Sequence, residues 1–132
     1  QRHCGIVGAG KITASMPVTW TISHQTRTVD AVARDKVSLA DMQAYLDDVL
    51  VSGAMGYRKM FDLTHTTMDL DDSEMMALGA RIRAYAATTP MGPLALVAAT
   101  PGSYVRARLY MTLAGAERPM QLFNDAASAR RC

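Results

Sequence analysis

The chain has 132 residues, of which 49% are hydrophobic and 20% charged, and its net charge is +2. That gives room for one domain with a core of its own, and the apolar content excludes a disordered chain. With Arg2 and Lys11 set aside in the leading segment, the remainder is near neutral. This excludes a strongly basic nucleic-acid surface, and no apolar run approaches the roughly 20 residues of a membrane span.

The two cysteines, Cys4 and Cys132, stand at opposite ends and do not form the disulfide framework of a small secreted domain. Residues 1–15 lack the long apolar core of a secretory signal, so the expected location is the cytoplasm. Two nucleotide-site patterns overlap in this segment. Gly5–Lys11 matches most of a phosphate-binding loop, but Ile12 stands where a Ser or Thr would hold magnesium. A dinucleotide fingerprint would need a small residue at Thr13, and Pro17 arrives too soon for the long helix that docks the phosphate. Neither site is expected. Residues 1–15 read as a leader or appended extension, and the domain as 16–132.

Val18–Ser23 and Thr28–Ala33 alternate apolar and polar residues on either side of the polar stretch His24–Arg27, the pattern of a β-hairpin. Ser38-Leu39-Ala40-Asp41 resembles a capping box opening a first helix, with Leu39, Met42, Leu46, Val49 and Leu50 on one face and Gly53 and Gly56 at its exit. Tyr57–Leu63 is the next strand and Thr64–Asp69 a polar loop. Asp71 or Asp72 caps a second helix to about Ala87, in which Met75, Leu78, Gly79, Ile82 and Tyr85 keep helical spacing; Gly79 admits a close neighbour. The nearly all-apolar Pro93–Ala99 suits a strand covered on both faces. A third helix with Tyr104, Val105, Arg108, Leu109, Met111 and Leu113 follows the turn Thr100–Ser103. A last strand, Arg118–Phe123, precedes a short helix, Asp125–Arg131, capped by Asn124. The order ββαβαβαβα implies an α/β fold with a mixed, mostly parallel sheet of about five strands.

From about Val18 onward, this order resembles the SpoIIAA-like branch of the STAS fold (sulfate transporter and anti-sigma factor antagonist). The landmarks are Arg34–Asp41, Met60-Phe61-Asp62-Leu63 before a Thr-rich loop, Ser103–Tyr110, and Gln121–Asp125 before an Ala-rich helix. The resemblance implies helices mainly on one face of the sheet, and a protein-binding or ligand-sensing module without enzymatic activity or cofactor. In anti-sigma factor antagonists a serine at the start of the second helix accepts phosphate. Asp62-Leu63-Thr64 matches the start of that signature, and Ser73 falls where the phosphoacceptor stands once one extra loop residue is allowed. Asp72 and Glu74 replace the signature's first serine and its glycine.

The expected interaction edge comprises Asp62, Thr64, His65, Thr66, Thr67, Asp71, Asp72 and Glu74 around Ser73, since loops at the carboxyl ends of parallel strands are where such sheets bind partners. Asp62, Asp69, Asp71, Asp72 and Glu74 lack EF-hand spacing and read as caps and solvated acids instead of a metal site. His65 has no nucleophile elbow or oxyanion motif to work with. The expected partner is a protein, with a second copy of the chain among the candidates. The rival reading is a carrier or sensor holding an apolar small molecule between sheet and helices, which calls for a cavity of several hundred cubic ångströms.

Overall fold

The computed structural model describes residues 17–66, 70–113 and 118–131. The segment 1–15 with Gly5–Lys11, both cysteines, Thr67 and Asp69 lie outside the described residues. The element order is β1 (Val18–Ser23), β2 (Thr28–Asp35), α1 (Leu39–Val51), β3 (Arg58–Thr66), α2 (Asp72–Ala86), β4 (Leu94–Val97), α3 (Pro101–Leu113), β5 (Met120–Phe123) and α4 (Ala126–Arg131). The strands form one sheet in the order β1-β2-β3-β4-β5. β1 and β2 pair antiparallel, from Val18 opposite Ala33 to Ser23 opposite Thr28, and every later pair is parallel. Among the described residues no helix is long and apolar enough to cross a membrane.

Strand alternation divides the core. Val29, Ala31 and Ala33 of β2, Phe61 and Leu63 of β3, and Leu94 and Leu96 of β4 meet the apolar sides of α1, α2 and α3. Met60 and Val97 point the other way, where Ala129 of α4 covers them. Right-handed crossovers between strands that advance in one direction place their helices on one face, and among the described helices α4, which follows the last strand, is the one on the opposite face. The central aromatic contact is Tyr45 of α1, whose ring meets Trp20 edge-on at 5.4 Å and Phe61 at 5.1 Å.

The helix starts follow capping chemistry. Ser38 accepts from the Asp41 amide, and the Asp41 carboxylate accepts from the Ser38 amide, completing a capping box. Asp71 and Glu74 form the same arrangement at α2. α3 begins at Pro101, with Thr100 Oγ1 accepting from the Ser103 amide at 3.2 Å; proline suits the first helical position because its missing N–H has no partner there.

Several boundaries differ from the sequence reading. β2 runs on to Asp35 and β3 to Thr66, so Thr64, His65 and Thr66 are strand and not loop. A register shift between Val32 and Arg34 lets Arg34 pair with His65 and Asp35 with Thr66, and these pairings outweigh the polar composition of the segment. β4 is the short stretch Leu94–Val97. Asp125, not Asn124, caps α4, accepting from the Ser128 amide at 2.7 Å, and this bond holds its carboxyl below the usual range. On α3 the fully buried residues are Ser103 and Ala107, while Tyr104 and Val105 are exposed. Leu109, Met111 and Leu113 are partly buried and pack against the core, while the small Ser103 and Ala107 are the ones fully buried.

The approach of α3 to its neighbours is tightest at Gly79 of α2. A Cβ there would stand 2.9 Å from Leu113 Cβ and 3.0 Å from the Leu113 carbonyl oxygen. The Leu113 carbonyl also accepts a bond from the Arg83 guanidinium one turn further along α2. On its other flank α2 is tied to α1 where Arg81 and Tyr85 both donate to Asp47, at 3.0 and 2.7 Å. These two bonds, Tyr85 first, hold the Asp47 carboxyl low. Gly102, in the first turn of α3, has open space where a Cβ would go. Gly79→Val is therefore expected to destabilise the domain by about 2 kcal/mol or more through overpacking, while Gly102→Ala is neutral or stabilises by up to about 1 kcal/mol. Urea midpoints of the two variants measured side by side test the contrast.

Candidate functional site

The expected edge is assembled in part. Ser73 is exposed in the first turn of α2, and no described residue hydrogen-bonds its hydroxyl. Its acidic neighbours have structural duties: Asp71 and Glu74 are bound in the capping box, and Asp72 pairs with Arg106 of α3 at 2.8 Å. Asp62 is half-buried on the α4 side of β3, where its Oδ1 accepts from the Thr64 amide at 2.8 Å and from Thr64 Oγ1 at 2.6 Å. Thr66 is buried and donates to the Asp35 carbonyl at 2.6 Å, so it belongs to the scaffold. His65 is exposed beside Arg34. Met76, at 59% exposure, follows Asp72 by one turn, and Val105, at 66%, precedes Arg106. Ser73, Met76, Val105 and the Asp72–Arg106 pair thus make a solvated surface with apolar members at the starts of α2 and α3.

A second constellation lies inside the sheet–helix layer. Lys59, near the start of β3, is only 6% exposed, and it lines a small cavity with Tyr45 of α1, Tyr110 of α3 and Arg118, which precedes β5. The remaining wall is apolar, including Met42, Met55, Phe61, Leu96 and Ala107. The Lys59 ammonium donates to the carbonyls of Met55 and Tyr57, the latter at 2.9 Å. Arg118 makes two long bonds, each 3.4 Å, to the Gly92 carbonyl and to Tyr110 Oη. Tyr45 Oη and Arg118 Nε are buried without a hydrogen-bond partner among the described residues. Among the described residues neither cation forms an ion pair.

This environment sets the protonation chemistry. Burial, reinforced by Arg118, pushes the Lys59 amine down from 10.5 to about 7. Burial raises the Tyr45 and Tyr110 hydroxyls. The sequence reading missed this cluster, although strand period held the signal. With Phe61 and Leu63 facing the helices, Lys59 must face them too, while Arg58 faces away.

Protein-family models, curated proteins and solved structures were compared with the chain, and none of the three comparisons gives a match.

The Lys59 shift fixes a sign for pH dependence. Below pH 7 the folded protein carries the full cost of a buried ammonium. Between about 7 and 10.5 the unfolded chain binds more protons than the folded one, so stability rises with pH, by at most about 1.4 kcal/mol per unit. The raised tyrosines act in the opposite sense only near and above their ordinary value of about 10. Denaturant unfolding in low-salt buffer from about pH 7 to 9 is expected to show this rise in the wild type. Lys59→Met is expected to abolish it and to be the more stable protein at the acidic end.

Proposed function

We propose that this chain is a non-enzymatic regulatory module of the SpoIIAA-like STAS type, which binds a protein partner through the starts of α2 and α3 and is controlled by phosphorylation of Ser73. The observation that carries the reading is the placement of Ser73: exposed, with a hydroxyl that no described residue engages, in the first turn of the helix after β3. The element order and the Asp62-Leu63-Thr64 sequence in β3 support the same assignment. Asp72 and Glu74, in place of a serine and a glycine, give the switch a distinct electrostatic setting. A phosphoryl group there gains first-turn amides and the helix dipole. It also meets Asp71, Asp72 and Glu74, and it competes with Asp72 for Arg106, the neighbouring cation on α3. The net effect is to disturb the α2–α3 surface, so phosphorylation releases the partner.

The rival reading, a carrier for a sizeable apolar molecule, is disfavoured by volume. The cavity between sheet and helices measures about 30 Å³, against the several hundred cubic ångströms of ordinary small-molecule sites.

The test is affinity capture followed by quantitative binding to the recovered partner. Ser73→Glu and Met76→Asp are expected to weaken binding about tenfold. Ser73→Ala and Val51→Asp, the latter at a site 84% exposed at the end of α1, should leave it unchanged. Intact-mass analysis of the chain from its native cells should show one phosphoryl group that Ser73→Ala removes. Wild-type affinity in both Ser73→Glu and Met76→Asp would refute the edge assignment.

A further inference from the structure

We infer that the cavity bounded by α1, α3 and the sheet is a binding site for a small monoanion, a halide or the carboxylate of a very short organic acid, held by Tyr45, Lys59 and Arg118. The argument begins with an imbalance of donors and acceptors. Arg118 Nε can only donate, Lys59 has three donors of which two are used on backbone carbonyls, and the Tyr45 hydroxyl has no partner. Tyr45 is 2% exposed, so water at the surface does not satisfy it. Buried polar groups are nearly always bonded, and each exception calls for a cause. The missing partner at this site is an acceptor.

Charge narrows the class. Two cations line one cavity, close enough for Arg118 to act electrostatically on Lys59, Tyr45 and Tyr110 alike, and among the described residues neither has a counter-ion. A water molecule would satisfy the donors but leave the charges uncompensated in an otherwise apolar wall, which is costly. An anion answers both deficits. Size narrows it again: about 30 Å³ exceeds the roughly 10–15 Å³ that one water needs and excludes anything beyond a few heavy atoms.

Protonation and occupancy are then linked. The groups facing Lys59 are Arg118 from the segment before β5, Tyr45 of α1 and Tyr110 of α3. Asp30 of β2 acts on Tyr45, raising its hydroxyl, and has interactions of its own. Among the described residues no carboxylate forms an ion pair with the ammonium, so the bound anion favours its charged form, and anion affinity falls as Lys59 loses its proton.

The experiment titrates the full chain with sodium bromide, chloride and formate at constant ionic strength, against sulfate as the size-excluded control. Thermal unfolding and halide NMR linewidth are read, together with anomalous diffraction from bromide-soaked crystals. Saturable stabilisation by the monoanions and not by sulfate is expected, with bromide density beside Tyr45. Formate acting alone identifies a carboxylate, and formate with bromide a general monoanion; either supports the site. Tyr45→Phe keeps the ring between Trp20 and Phe61 and removes only the hydroxyl; it should weaken the response about tenfold while near-ultraviolet dichroism stays native. Lys59→Met should do the same and remove the loss of affinity between about pH 6 and 9. Equal responses of wild type and Tyr45→Phe to every salt, or a cavity holding only water in crystals soaked in bromide and in crystals soaked in formate, would overturn the assignment. None of these readouts depends on the Ser73 surface.

Discussion

The sheet advances in one direction, β1 to β5, and the rest of the molecule is arranged around that constraint. Three successive parallel connections in the same sense stack α1, α2 and α3 side by side on one face. Helices set over neighbouring strands must lie close together, and α2 and α3 achieve this at Gly79, where even a methyl group would meet Leu113. Among the described helices the opposite face receives the six-residue α4, which together with Ala95 and Phe123 leaves Val97 fully buried and Met60 nearly so. The molecule therefore has a large apolar layer under three helices, where the buried polar groups lie, and a small one under α4.

Much of this frame was legible in the sequence because it rests on periodicity and punctuation. The hairpin was carried by two alternating runs around a polar turn, α1 by Ser38 and Asp41, and α2 by Asp71 with Met75, Leu78 and Ile82 on one side. The close approach at Gly79 was also readable, since a glycine on the apolar stripe of a helix has few other uses. The continuation of β3 through Thr66 was not. Thr64, His65 and Thr66 have the composition of a loop, and what holds them in the strand is the shifted pairing with Arg34 and Asp35, a tertiary event that leaves no local trace. On α3 the apolar residues divide: Leu109, Met111 and Leu113 pack against the core, Tyr104 and Val105 are exposed, and the fully buried positions are the small Ser103 and Ala107, which hydrophobicity does not single out.

The two candidate sites divide along the same line. Ser73 was found by its place after a strand and at a helix start, features a linear reading can locate. The basic cavity joins residues from four separated parts of the chain: Tyr45, Lys59, Tyr110 and Arg118. Only Lys59 carried a signal, as the one cation on the inward register of an apolar strand. Arg118 stands before β5 and outside its alternation, and its relation to Tyr110 exists only once β5 has paired with β4.

α3 belongs to both places. Arg106 in its middle pairs with Asp72 beside Ser73, and Tyr110, one helical turn further along, meets Arg118 in the cavity. Positions four apart lie on the same side of a helix, so one stripe of α3 touches the acidic start of α2 at one level and the buried cations at the next. The helix is anchored at its start by Thr100 and Ser103 and near its end by the contact with Gly79, with just two fully buried residues between the sheet and its axis. Leu109, Tyr110, Met111 and Leu113 add partly buried contacts to the same core, so α3 is held along its length and carries Arg106 to the start of α2 and Tyr110 to Arg118 as one rigid spacing.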